Sequence, residues 1–77
     1  MSIKIKYFAS LKEALGKSED EIIEAKVMSA SEIWKFCNQG FELPDNVLVA
    51  INMEYSGLED EVKNGDEVAF FPPVTGG

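Results

Sequence analysis

Ile3, Ile5 and Tyr7 alternate with Ser2, Lys4 and Lys6, the period of a strand with one buried face, and predict a first strand over roughly residues 2–8. The period then changes. Ser10 and Glu13 stand at capping-box spacing, Leu11, Ala14 and Leu15 share a helical stripe, and Gly16 suits a left-handed helix end, so a short helix follows. Residues 18–21 read as a polar connection and 22–28 as a second strand. Ser29 and Glu32 form another capping box, and Ala30, Ile33, Trp34 and Cys37 fall at i, i+3, i+4 and i+7, the pattern of a main amphipathic helix that Gly40 closes. Residues 41–46, with Pro44, read as a loop. The β-branched run 47–51 reads as a central strand, 52–57 as a turn, and 58–63 as an acidic connection with Leu58 and Val62 pointing inward. Asn64-Gly65 is a strong turn signal and residues 67–71 form the last strand.

The predicted order is strand, short helix, strand, main helix, strand, irregular connection, strand. In 77 residues the architecture that buries every apolar face is a four- to five-stranded sheet packed on one main helix plus a short helix. The expected class is α+β, a roll with the layout of ubiquitin. Residues 1–71 form the expected domain and 72–77 an extended tail. A chain of this length is one domain at most and sits near the lower limit for a self-sufficient core.

Charge narrows the partners. Fourteen acidic residues against seven basic ones give a formal net charge of −7, which repels phosphate backbones and anionic lipid headgroups. No nucleic acid and no membrane are expected as partners, whereas a basic protein surface is well matched. One cysteine rules out an intramolecular disulfide, and the alternating N-terminus lacks the apolar stretch of a secretory signal. The expected location is cytoplasmic.

Internal catalytic chemistry is scarce. The chain has no histidine, which removes the usual general base and serine–histidine or cysteine–histidine catalysis. A phosphate-cradling Gly-Lys-Ser/Thr loop is missing too, so any ATP must be bound by another protein. Glu19-Asp20-Glu21 and Glu59-Asp60-Glu61 lack the alternating spacing and mid-loop glycine of a calcium loop and read as solvated connections. No catalytic residue and no metal ligand is assigned within the chain. Cys37 could be a persulfide carrier, but its place on the apolar stripe favours a small buried hydrophobe. Trp34, on the same stripe, reads as packing.

The signal lies in the last residues. In the final strand Val68 and Phe70 alternate with Ala69 and Phe71, so both faces are apolar while only one can lie on the core. Pro72-Pro73 cannot donate ladder hydrogen bonds, and their fixed φ favours a stiff, extended departure. Residues 72–77 could reach about 20 Å at most. Gly76-Gly77 lacks side chains, so it can thread a narrow channel and leave the terminal carbonyl open to attack. A carboxylate must first be activated, for example as an acyl-adenylate, before a nucleophile can displace a leaving group. The tail has the logic of a substrate.

At these residues the chain resembles the small-subunit family of molybdopterin synthase, ubiquitin-like sulfur carriers. The likeness is close over residues 65–77 and general over the Lys/Ile-rich first strand ending in Phe8-Ala9, the segment Leu11 to Gly16, and Val49-Ala50-Ile51-Asn52. Residues 17–46 match only in pattern, and Met28-Ser29-Ala30 replaces the family's proline-threonine-valine helix entry. The resemblance implies a β-grasp fold and a two-stage cycle. An adenylating enzyme similar to ubiquitin-activating enzymes would use ATP and Mg²⁺ to form an adenylate at Gly77, which a sulfur donor protein would convert to a thiocarboxylate. The tail would then enter the large synthase subunit and give its sulfur to a pyranopterin precursor, building the dithiolene. By position, Gly76 would line the channel, and Phe71, Pro72, Pro73, Val74 and Thr75 would be docking surface, with Phe70 in the core. Related readings are a carrier for thiamine or another thiolated product and a protein modifier joined to lysines. From another class, a β-grasp interaction module would carry an inert tail.

Overall fold

The computed structural model describes residues 1–73. Along the chain run β1 (Ser2–Tyr7), α1 (Ser10–Leu15), β2 (Glu19–Ile23), β3 (Met28–Ser29), α2 (Ala30–Cys37), β4 (Leu48–Ile51), β5 (Glu54–Ser56), β6 (Glu61–Val62) and β7 (Glu67–Phe71). Five strands form a mixed sheet in the order β2-β1-β7-β4-β5, and β3 pairs with β6 in a separate two-stranded ribbon. β1 and β7 are parallel, with Tyr7 beside Phe70, and the other neighbours are antiparallel. This is the β-grasp arrangement expected, at the five-stranded end of the range.

Alternation along each strand decides which residues meet α2. Ile3, Ile5 and Tyr7 of β1, Val49 of β4, and Val68 and Phe70 of β7 turn to one face, where Ile33 and Trp34 of α2 close over them. Trp34 meets Phe70 edge-on at 5.2 Å between ring centroids and Tyr7 at 5.9 Å, spacings at which aromatic pairs add to simple burial. The indole Nε1 donates to the Phe41 carbonyl at 3.0 Å, which ties the loop after α2 to the core. The Ser29–Glu32 capping box is complete: Ser29 Oγ accepts from the Glu32 N–H, and Glu32 Oε1 accepts from the Ser29 N–H. These bonds hold the Glu32 carboxyl below the usual carboxylate range.

Several sequence expectations need correction. The first helix has no side-chain cap: Ala9, at φ 54°, is its N-cap, and Ser10 is already helical. Gly16 does end it in the left-handed region, donating to the Lys12 carbonyl at 3.0 Å. The second strand starts three residues earlier than expected and ends at Ile23, so Glu19, Asp20 and Glu21 belong to a strand and not to a connection. Tyr7 N–H donates to the Ser18 carbonyl at 2.9 Å, so pairing resumes directly opposite the end of β1 and stops with Ile23 opposite Ser2. An edge strand tolerates those carboxylates because solvent reaches it. Met28, expected to end that strand, instead pairs with Val62. Asn38, not Gly40, caps α2, and Gly40 takes φ 92° two residues later.

Two further differences concern the second half. β4 is the central strand expected, with neighbours on both sides, and it lies next to β7, the middle strand of the five. Residues 52–57 contain a strand: Asn52 and Met53 both adopt positive φ, 51° and 69°, the geometry of a tight primed turn. That turn folds β5 back on β4, with Tyr55 opposite Ala50. Leu58 and Val62 do point inward, Val62 being fully buried, and β6 lies within the acidic segment.

Candidate functional site

β7 starts from a clamp and ends at the tail. Asn52 N–H donates to the Glu67 carbonyl at 2.8 Å, its side-chain oxygen accepts from the Glu67 N–H at 3.0 Å, and its amide donates to Asp66 Oδ1 at 2.9 Å. The Asn52 bond, with the Lys63 backbone N–H, holds the Asp66 carboxyl below the usual carboxylate range. From this anchor β7 runs between β1 and β4, and strand structure ends at Phe71. Pro72 is half-buried and Pro73 exposed. Val74, Thr75, Gly76 and Gly77, which carry most of the expected site, lie outside the described residues.

The two phenylalanines of β7 divide the strand's faces. Phe70 is fully buried in the core, while Phe71 turns to the opposite face and stacks on Phe8 with ring centroids 4.7 Å apart and planes 8° from parallel. Phe8, Ala50, Met53, Tyr55, Ala69 and Phe71 line an open groove of about 300 Å³, with Glu67 at its rim. Met53 is 95% exposed and Tyr55 81%, so a large apolar surface stands in water beside the root of the tail. Such contiguous patches mark interaction sites. The other half of the face is charged: Lys4 lies opposite Glu21, Lys6 opposite Glu19, and Glu67 beside Lys4.

Phe8, Ala50, Met53 and Tyr55 were missed from the sequence. The available signal was Asn52-Met53 followed by the alternation Glu54-Tyr55-Ser56, a hairpin pattern with one apolar residue aimed at the face β7 leaves uncovered. Nothing in local sequence could show that β5 lies two strands from β7.

Cys37 is half-buried against the core, and burial pushes its thiol pKa up, with the Asp20 charge acting in the same direction. A thiol kept protonated is a weak nucleophile. Around it Tyr7 donates its hydroxyl to Asp20 Oδ2 at 2.9 Å and accepts from Asn38 at 3.0 Å, and Lys17 bridges Asp20 and the Cys37 carbonyl. Burial raises the Tyr7 phenol pKa and keeps it a hydrogen-bond donor. Cys37→Ala and Cys37→Ser are expected to leave the chain's activity unchanged within about twofold; a lost activity in a folded variant would return Cys37 to the chemistry.

Glu19 and Glu21 occupy one face of β2, while Asp20 turns to Tyr7 and Lys17, so the three carboxylates do not converge. Among the described residues no group of three or more cysteine or acidic side chains is placed to hold a metal ion. No helix among them is long and apolar enough to cross a membrane.

Comparison with known proteins places this geometry. The ThiS family profile matches residues 5–77. The molybdopterin synthase sulfur carrier subunit of Haemophilus influenzae is 39% identical, the alignment covering 97% of this chain and 99% of that protein. The corresponding subunit of Escherichia coli is 33% identical over the same shares of both. Among solved structures, SAMP1 from Haloferax volcanii superposes with a TM-score of 0.76 at 27% identity, with all of both chains covered. The chain belongs to the ThiS family, alongside the molybdopterin synthase sulfur carrier subunits.

Proposed function

We propose that this sulfur carrier of molybdenum cofactor biosynthesis works through its own last residue, Gly77, and that catalysis is supplied by its partners. The observation that carries the reading is the family match, which runs from the first strand through Gly77 itself, joined to a terminal Gly-Gly set on a Pro-Pro spacer. In the first stage an adenylating enzyme uses ATP and Mg²⁺: the Gly77 carboxylate displaces pyrophosphate and becomes a mixed anhydride with AMP. A sulfur donor protein then replaces AMP, leaving a thiocarboxylate, whose sulfur is soft, anionic and nucleophilic. In the second stage the large synthase subunit binds the tail, the thiocarboxylate sulfur bonds to a pyranopterin precursor, and water cleaves the acyl–sulfur bond so that Gly77 returns as a carboxylate. Gly76 lines the channel that admits it, because a residue without a side chain passes where others would clash.

Both partners dock on one surface. Phe71, Pro72, Pro73, Val74 and Thr75 form the part continuous with the tail, and the groove of Phe8, Ala50, Met53 and Tyr55 extends it across the sheet. Buried aromatic anchors within a polar rim are the residues that dominate interface energies. The net charge of −7 suits partners with basic surfaces, and the cycle is placed in the cytoplasm. Residues 1–71 are the folded unit and 72–77 the inserted tail.

Incubation of the chain with an activating enzyme, ATP and a sulfur source, followed by intact-mass measurement, tests the reading. The expected product gains the mass difference of one oxygen-to-sulfur exchange, mapped to Gly77. An unchanged mass overturns sulfur carriage, and Gly77 joined to target lysines would instead establish a protein modifier.

A further inference from the structure

The turn that launches β7 is built from Asn64-Gly65, a dipeptide with chemistry of its own. Where the residue after asparagine has no Cβ, its backbone nitrogen can approach the asparagine side-chain carbon closely. After losing its proton, that nitrogen attacks the amide carbon and the side-chain nitrogen leaves as ammonia, closing a five-membered succinimide. Water then opens one of the two ring C–N bonds. The product is an aspartyl or an isoaspartyl residue at position 64, the latter with the main chain rerouted through the side chain.

In the native fold all the groups this reaction needs are engaged. Gly65 N–H, the nucleophile's position, donates to the Ser2 carbonyl at 2.8 Å. The Asn64 amide nitrogen donates to the Ala25 carbonyl at 2.7 Å, and its oxygen accepts from the Ala25 N–H at 2.9 Å. Asn64 thus pairs with residue 25 as a strand neighbour would, joining the β2–β3 connection to the β6–β7 turn. Ring closure requires all three bonds to break and the side chain to swing onto its own backbone.

We propose that Asn64-Gly65 is a deamidation site held latent by the native fold, so that each copy of the chain records chemically the time its β6–β7 turn has spent open. The damage also loosens the turn that had suppressed it. A carboxylate at position 64 sets an oxygen against the Ala25 carbonyl where an N–H now donates, and an isoaspartyl residue lengthens the main chain just before the strand that carries the tail. Either product unlatches residue 25 and favours further opening. This goes beyond the sulfur-carrier reading and does not depend on it.

The full chain is kept at one pH and temperature, folded in buffer and unfolded in denaturant, and each asparagine is followed by digestion and mass spectrometry with isoaspartate detection. Modification at Asn64 is expected to be about a hundredfold faster in the unfolded chain, the ratio set by a local opening of moderate cost. There it should also outpace Asn38, Asn46 and Asn52, which are followed by Gln39, Val47 and Met53. Comparable rates in the two states, or an Asn64 no faster than those three when unfolded, overturn the proposal. Asn64→Asp should lower the denaturant midpoint of the folded chain; an unchanged midpoint overturns the loosening of the turn.

Discussion

A chain lacking Gly77 is expected to fold like the full-length protein and to accept no sulfur at all. Its thermal transition should be unchanged, because the last strand ends at Phe71, six residues before the chain end, and the final residue of a domain generally adds little to stability. Its intact mass after incubation with the activating enzyme, ATP and a sulfur source should be unaltered. The shortened tail still ends in a glycine carboxylate, so the loss would come from reach and not from chemistry: one residue is about 3.5 Å, and misplacing a reacting atom by even about 1 Å can cost on the order of a hundredfold. A shortened chain that still gains sulfur would sink the assignment of Gly77, while one that no longer folds would show the tail to be part of the core. A binding module with an inert tail would gain no sulfur even at full length and would keep its partner binding after the deletion, so comparing the two chains separates the classes.

Neighbouring residues with opposite roles supply the second large effect. Phe70→Ala removes a ring that meets Trp34 at 5.2 Å and lies parallel to Tyr7 at 6.0 Å in the fully buried core. Truncating a buried phenylalanine costs about 3–5 kcal/mol, and a domain of this size rarely holds more than about 3–5 kcal/mol in total. The variant should therefore be largely unfolded at 25 °C by circular dichroism. Phe71→Ala loses a half-exposed stack on Phe8, about 0.5–1.5 kcal/mol, and should stay folded while its affinity for the large synthase subunit falls by about tenfold or more. Equal destabilisation by the two would contradict the division of faces.

Much of the fold is legible because its signals are local. The alternation of residues 2–7, the Ser29–Glu32 capping box and the stripe Ala30, Ile33, Trp34 mark β1 and α2 without reference to the rest of the chain. Where the expectation failed, pairing overrode pattern. β2 begins at Glu19 because the β1 ladder is there to receive it, and the two-residue strands β3 and β6 exist only through each other. The spacing of Ser10 to Glu13 predicts a cap at Ser10, but the chain leaves β1 through Ala9 at positive φ and reaches the helix one residue sooner.

The same division runs through the candidate site. The sequence by itself determined the tail: two prolines restrict φ and two glycines lack side chains, and these are covalent properties that no partner strand alters. It also determined that one face of β7 would be left over, since Val68, Ala69, Phe70 and Phe71 are more apolar groups than a single core face can take. Only the tertiary structure decided what surrounds that face. Setting β7 in the middle, parallel to β1 and antiparallel to β4, brings Phe8, Ala50, Met53 and Tyr55 to Phe71 from segments up to 63 residues away in sequence, by the difference 71 − 8. Strand order comes from burying the core-facing side chains of β1, β2, β4 and β7 against α2 at once, a condition on the whole chain that no local stretch of it encodes.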